Sequence, residues 1–527
     1  MHSFLPFLLA MVAVIVLLNM FAAKLKIAYP ILLVVGGLFI SFIPGLPVIK
    51  IDPDLIFFIF LPPLLFEASW SISFKEMKKW WRIIGSFAFL VVFFTALSVA
   101  LITNHFIPGF TIALGFLLGG IVSPPDAVST GAITKFVAIP KSTSTILEGE
   151  SLLNDASSLI IFRFALVAVG TGQFIWQEAV TDFLWMVIGG VGIGLLLGWL
   201  FVQAHKLLPT DAPSDIALTI IEPYLMYWIA EQLHSSGVLA VVCGGLFMSA
   251  RRLKFLNSTS RIHAYSVWES FIFILNGVVF LIIGLELPEI VDGLKEDHIP
   301  IETAVGYGVL VTAILIAARM ISSYVALVST MIFRPSVQPH ASSRTRRWMM
   351  PLLLGWTGMR GVVSLAAALA IPVTLSNGEA FPHRNLILFI TFVVILLTLL
   401  VQGLTLPYFI RKTGFFDGVF AEENEQSTRQ KIKKELKQHI YQFLKSKYEN
   451  ELKDHAGLEM FLKHWEERAK ATDDSWMNAK TKTIFIEMLE VQRDYLTELN
   501  KDPKINEEII RQQLYQIDLE EERLKMI

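Results

Sequence analysis

Residues 148–164, EGESLLNDASSLIIFRF, carry two glutamates, an aspartate and an arginine inside an otherwise apolar run. The flanks are greasy enough to sit in lipid, where a charge at mid-depth costs about 2.5–3.5 kcal/mol on insertion scales. Each of these charges therefore needs a partner or a use.

The rest of the chain says that lipid is the right solvent to consider. Of 527 residues, 54% are hydrophobic and 17% charged, and the mean hydropathy is +0.58, well above that of a soluble globular chain. Such a composition implies a polytopic membrane protein. A net charge of −2 offers no basic field for nucleic acid. The single cysteine, Cys243, lies in an apolar run and excludes a disulfide or zinc framework. The N-terminal stretch MHSFLPFLLAMVAVIVLLNMFAAK has no basic leader region, and its apolar run is too long for a signal-peptide core. It reads as an uncleaved first span, with FAA as its one cleavage-like feature.

Apolar segments with polar breaks predict thirteen spans, at about 3–23, 28–43, 54–70, 83–103, 110–133, 144–169, 183–206, 214–233, 237–250, 264–287, 303–333, 349–372 and 385–410. With the N-terminus outside, the inner loops hold nineteen basic residues, from Lys24 and Lys26 to Arg411 and Lys412. The outer loops hold three: Lys50, Lys295 and Arg384. A wrong span count would scramble this asymmetry, so the positive-inside rule favours both the count and the orientation. Residues 1–413 then form the membrane domain. From Gly414 the chain turns charged, with apolar residues at helical spacing, as in IKKELKQHIYQFLKSKYENEL and IIRQQLYQIDLEEERL. Residues 414–527 read as a cytoplasmic helical tail with a regulatory role. Its His439, His455 and His464 lack metal-site spacing.

Two spans look broken. In GFLLGGIVSPPDAVSTGAITK, Pro124 and Pro125 cannot continue a regular helix and are followed at once by Asp126. In LLLGWTGMRGVVSLAAALAIP, Gly355, Gly358 and Gly361 surround Thr357 and Arg360. Unwound backbone at membrane depth survives only when buried in protein or lining a wet cavity. Breaks at matching places in two halves point to a transporter binding site. These are spans five and twelve, which makes spans one to six and eight to thirteen two inverted repeats.

On a helix entering from the cytoplasm near Thr143, Asp155 lies about 18 Å deep, close to the midplane. Ser151 and Asp155 share one face, while Glu150 and Asn154 share another about 100° round. A buried Glu150 needs a cation, and Arg360 in the broken span is the natural partner, with Asn154 as a further acceptor. Asp155 instead shares its face with a hydroxyl, and Asp126 sits at a proline break. Two carboxylates, a hydroxyl and free carbonyls make an oxygen cage suited to a hard monovalent cation. Without the cation, a proton takes its place. A site that accepts either species is an exchanger in chemical outline.

GESLLNDA (149–156) resembles the Asn-Asp signature of monovalent cation/proton antiporters of the NhaP and sodium/proton exchanger branch. LPPLLFEAS (61–69), SPPDAV (123–128), FLIIGLEL (280–287) and TGMRGVVSLAAALA (357–370) resemble further motifs of that family in the same order. Together they span residues 1 to 410. The resemblance implies an all-α, NhaA-type fold of thirteen helices with the fifth and twelfth unwound, a dimerisation domain, a moving core domain and a homodimer. It implies that Asp155 carries the ion and the proton, with Asp126 and Ser151 around it as the Na+ ligands. Glu67 would act near the cytoplasmic side through water. Glu150, Asn154, Arg360 and Arg319 would form a structural ion-pair cluster. Where the family commonly has Thr-Asp, this chain has Pro125-Asp126, leaving the backbone carbonyl of Pro125 as the donor there and the ion preference open. The family associates Asn-Asp with electroneutral exchange.

The expected function is exchange of Na+, with Li+ and K+ as alternatives, for H+ by alternating access, without a cofactor. The setting is a cell membrane, in pH and sodium homeostasis. A cation channel or a membrane ion or pH sensor on the same fold is the alternative. An intramembrane enzyme is disfavoured, since HExxH and GxGD are absent. Arg163 reads as a packing or snorkelling charge, and Glu222 and Glu231 as lining a path or sitting on a kinked interface helix beside Pro223. Glu286 is expected at the outer boundary.

Overall fold

The computed structural model describes residues 4–25, 27–43, 53–72, 74–126, 141–172, 176–333, 352, 355–375 and 378–413. In the C-terminal part it describes 432, 435–436, 438–446, 479–499 and 507–525. Residues 127–133 and 349–351 of two expected spans lie outside these, as do Lys50, Lys135, Arg334, Arg344, Arg346, Arg347, His455 and His464.

The chain divides into two compact units, Met1–Val419 and Phe420–Ile527. In the first, the regular elements among the described residues are helices. They are α1 (Phe4–Leu25), α2 (Tyr29–Ser41), α3 (Pro53–Ser71), α4 (Phe74–Gly85), α5 (Val92–Phe106), α6 (Ile112–Val122), α7 (Lys141–Thr171) and α8 (Trp176–Leu207). There follow α9 (Ala212–Gln232), α10 (Gly237–Ser249), α11 (Arg252–Phe255), α12 (Ser258–Leu285), α13 (Leu287–Glu296), α14 (Ile301–Phe333), α15 (Val362–Leu369), α16 (Arg384–Leu397) and α17 (Gly403–Thr413). Six-residue and five-residue π turns, Ser86–Val91 and Thr398–Gln402, join α4 to α5 and α16 to α17. Among the described residues, seven helical stretches are long and apolar enough to cross a membrane, with four shorter apolar helices beside them.

Helix runs furthest past the expected span ends in two places. Residues 74–82, expected as a loop, form most of α4, because Lys75, Lys78, Lys79 and Arg82 recur at helical spacing and leave the other face apolar. Residues 287–296 likewise form α13, an amphipathic helix with Pro288 in its first turn.

Glycines let helix backbones touch. A Cβ on Gly37 of α2 would lie 2.2 Å from the Leu281 carbonyl of α12, and one on Gly284 of α12 2.2 Å from the Val34 carbonyl. Gly194 of α8 stands in the same relation to Ala240 of α10, at 2.3 Å. Close approach over small residues is how helices gain packing in lipid, where burial against a neighbour gains little over burial in acyl chains. α7 is held on both flanks. On one, a Cβ at Gly120 of α6 would meet Phe162 N at 3.0 Å, and Ser157 Oγ donates to the Ala88 carbonyl of the first π turn at 2.5 Å. On the other, Leu152 and Ala156 enter an apolar core with Leu65 and Phe66 of α3, Val242 of α10 and Trp268 of α12.

In the second unit, α18 (Ala479–Leu499) and α19 (Glu507–Lys525) pack through Leu489 and Ile517. Arg493 Nη2 reaches Asp518 Oδ1 at 2.7 Å and also pairs with Glu521.

Gly284→Ala is expected to destabilise the membrane unit by about 1–3 kcal/mol, since its Cβ meets backbone that cannot retreat. Gly192→Ala, on α8 with nothing within 4 Å of the added Cβ, should be neutral or slightly stabilising. Thermal melting of both variants in detergent checks the contrast.

Candidate functional site

The site begins where two helices stop. α6 ends at Val122, and Ser123–Asp126 are non-helical; on the other chain segment Gly358–Gly361 are non-helical before α15 starts. Backbone groups released this way must find partners. The Asp126 N–H donates to the Met359 carbonyl at 2.7 Å, tying one segment to the other. Arg360 supplies most of the rest. Its Nε donates to the Val122 carbonyl at 2.6 Å and its Nη2 to the Ser123 carbonyl at 3.1 Å, while Nη1 donates to the Gly358 carbonyl. Its own N–H donates to Thr398 Oγ1 in the second π turn at 3.2 Å.

This changes the expected pairing of Glu150. Arg360 is spent on carbonyls, and the cation facing Glu150 is Arg319 of α14, whose Nη2 lies 2.8 Å from Glu150 Oε1. Both side chains are fully buried. The two arginines converge on Gly358, where a Cβ would come within 2.7 Å of Arg360 Nη1 and 2.6 Å of Arg319 Cδ. Asn154 is not an acceptor for Arg360 either. Its Nδ2 points to the Pro125 carbonyl at 3.5 Å, and the same oxygen accepts Ser151 Oγ at 3.2 Å. The two polar faces of α7 thus meet at one carbonyl.

Glu67, Asp126, Glu148, Ser151 and Asp155 line one cavity of about 200 Å³, whose remaining wall is largely apolar. Asp155 is 7% exposed and forms no ion pair among the described residues. Asp126 has room because position 361 has no side chain: a Cβ there would sit 2.3 Å from Asp126 Oδ2. A second cavity of about 1070 Å³ shares Glu67 and Ser71 with the first and extends to Arg252 and Arg261. Glu67 therefore stands between the wide vestibule and the small chamber. The chamber offers carboxylate and hydroxyl oxygens and no cation of its own at Asp155, which suits a small hard cation or a proton.

Two other groupings sit apart from it. Arg163, read as a packing or snorkelling charge, pairs with Glu231 of α9. Glu222 neither lines the chamber nor faces a path. Its Oε1 meets His205 Nε2 at 2.8 Å, while His205 Nδ1 meets Asp215 Oδ1 at 2.9 Å and Ser260 Oγ donates to Asp215 Oδ2 at 2.7 Å. All four side chains are buried, so the network ties α8, α9 and α12 together. His205 was not visible as a partner from sequence. The available signal was that Asp215 and Glu222 are seven residues apart and so share a helix face.

Arg319→Ala should destabilise the protein by about 3–5 kcal/mol, because it leaves the Glu150 carboxylate buried without a cation. The double variant Glu150→Met with Arg319→Met should recover most of that loss. Thermal unfolding of the single and double variants measures it.

The model of the family described as sodium/hydrogen exchanger, transmembrane, matches residues 9–412. A sodium, potassium, lithium and rubidium/H+ antiporter of Bacillus pumilus is 30% identical over 432 residues, 81% of this chain and 64% of the relative. The low-affinity Na+/H+ antiporter NhaS1 of Synechocystis is 32% identical over 392 residues, 73% of this chain and 69% of the relative. The fold matches that of the sodium/proton antiporter MjNhaP1 of Methanocaldococcus jannaschii with a TM-score of 0.62 at 19% identity, over 78% of this chain and 98% of that one. The chain belongs to the sodium/hydrogen exchanger family.

Proposed function

We propose that this protein is a secondary antiporter that exchanges Na+ for H+ across a cell membrane, in pH and sodium homeostasis. The observation that carries the reading is the chamber lined by Asp126, Ser151 and Asp155, in which the buried Asp155 forms no ion pair among the described residues. Deprotonated Asp155, with Asp126 and the Ser151 oxygen, would hold the cation. A proton arriving at Asp155 removes the charge that holds it, so one site carries either species. Ser151 Oγ donates a hydrogen bond to the Pro125 carbonyl, which fixes the orientation of its oxygen at the chamber wall. Glu67, between vestibule and chamber, would receive the ion on its way in. Glu150, Arg319, Arg360 and Asn154 would hold the frame.

Several finer features belong to the same reading. Thirteen spans, an outside N-terminus and a cytoplasmic C-terminus agree with the charge asymmetry of the loops. Unwinding of the fifth and twelfth spans within two inverted repeats agrees with the non-helical stretches at 123–126 and 358–361. We further propose a homodimer and a regulatory tail beyond residue 413. Oxygen donors alone discriminate weakly among alkali cations, so Li+ and K+ are expected to be carried besides Na+; the Bacillus relative is named for four such cations. No bound cofactor is needed for this chemistry. The channel or sensor alternative has no observation in its favour.

In proteoliposomes, Asp155→Asn should abolish Na+-driven proton movement, and retention of full flux would sink the mechanism. In the parent protein the apparent KM for Na+ should rise as pH falls, approaching about tenfold per pH unit when one proton competes with one cation. A flat KM would point to separate sites, and current without proton movement to a channel.

A further inference from the structure

α7 carries a second charged residue that the ion site does not use. Arg163 lies eight residues beyond Asp155, about 12 Å along the helix at 1.5 Å per residue. Its guanidinium pairs with Glu231 of α9, the two side chains being 42% and 26% exposed. Glu231 Oε1 also accepts the N–H of Gly237, the first residue of α10, at 3.1 Å. The α7 residues that line the chamber are Glu148, Ser151, Leu152 and Asp155, none of them beyond Asp155. The open approach and the ion pair therefore lie on opposite sides of the carrier residue.

The neighbours of α7 differ in how they hold it. Toward α6 the grip is backbone on backbone, at Gly120 against Ser158 and Phe162. Toward α9 and α10 it is made by side chains, the apolar contact of Leu152 and Ala156 with Val242 and the ion pair of Arg163 with Glu231. If α7 shifts, it moves with α6, and the seam that slides is the one Arg163 and Glu231 bridge. Breaking the pair is cheap on both sides. The Arg163 side chain is 42% exposed rather than sealed in protein, and Glu231 keeps a helix N-terminus, where a carboxylate is favoured.

We propose that the Arg163–Glu231 pair is the gate that closes the far side of the ion site in this conformation. It parts when α7 carries its cargo across. The proposal rests on the alternating-access reading above, and names these two as positioning residues that touch neither ion.

The test uses Ser71→Cys, whose side chain lines both the vestibule and the chamber, in a Cys243→Ala background that removes the one native thiol. Maleimide labelling of the purified full-length protein in nanodiscs then reports how often the chamber is open on that side, with or without transport. Arg163→Gln and Glu231→Gln should each slow labelling about three-fold, as the population open on that side falls. Each should raise the Na+ KM measured from that side by a similar factor. Glu231→Gln keeps the acceptor for Gly237, so lost capping would not account for its effect. The swap Arg163→Glu with Glu231→Arg should restore the parent rate. Unchanged labelling in both single variants, or a swap as slow as they are, overturns the proposal. As a second arm, Arg163→Cys with Glu231→Cys, without Ser71→Cys, should lose exchange when bridged by a bifunctional methanethiosulfonate reagent long enough to span the pair and regain it on reduction; full exchange in the cross-linked protein also overturns it. Absence of Na+/H+ exchange in the parent would instead refute the function itself, and labelling separates the two.

Discussion

A helix that ends inside a membrane leaves carbonyl groups with no water to turn to, and the guanidinium of Arg360 is what answers for them here. It donates to Val122, Ser123 and Gly358, which lie on two segments far apart in the chain. The Asp126 N–H completes the tie through Met359. A buried arginine is expensive unless its donors are filled, and unwound backbone is expensive unless its acceptors are. Each liability offsets the other. Without the junction neither break could persist, and Asp126 would have no fixed place beside α7.

The charges in the membrane then sort by what surrounds them. Glu150 is matched by Arg319 and walled off, so it holds α7 to α14. Asp155, five residues further along the same helix, forms no ion pair among the described residues and opens on a small chamber. The difference is one of neighbours and access. Near the end of α8, His205 between Asp215 and Glu222 makes a third arrangement, a sealed polar hub that joins three helices. Of the three, it is the arrangement at Asp155 that opens a carboxylate on a cavity.

Much of this was legible in the chain. Pro124-Pro125 announced where α6 stops, and the three glycines around Thr357 and Arg360 the non-helical stretch before α15, because those residues cannot or need not hold a helix. The i, i+4 spacing of Ser151 and Asp155 put hydroxyl and carboxylate on one face. Other features depend on which of two equivalent partners is nearer, and no local pattern encodes that. Arg319 and Arg360 are alike in charge and reach, and both crowd Gly358, so the choice of Glu150 between them is made by packing. Arg163 could not be paired with Glu231 from spacing alone, since 68 residues separate them. The helical reach of Lys75–Arg82 was visible as a charge stripe but was masked by the hydropathy rule, which ends a span where lysines begin.

Gly361 shows how such a site can be calibrated from behind. The carboxylate of Asp126 rests where a methyl group would otherwise stand, 2.3 Å from Oδ2. The room this carboxylate has is thus set by a void, at a position with no side chain of its own. A single methyl at this spot would displace Asp126 without altering any of the polar groups that line the chamber. The calibre of a chamber can therefore be drawn by a residue that has no side chain to line it, and comparing the lining carboxylates and hydroxyls alone would not reveal it.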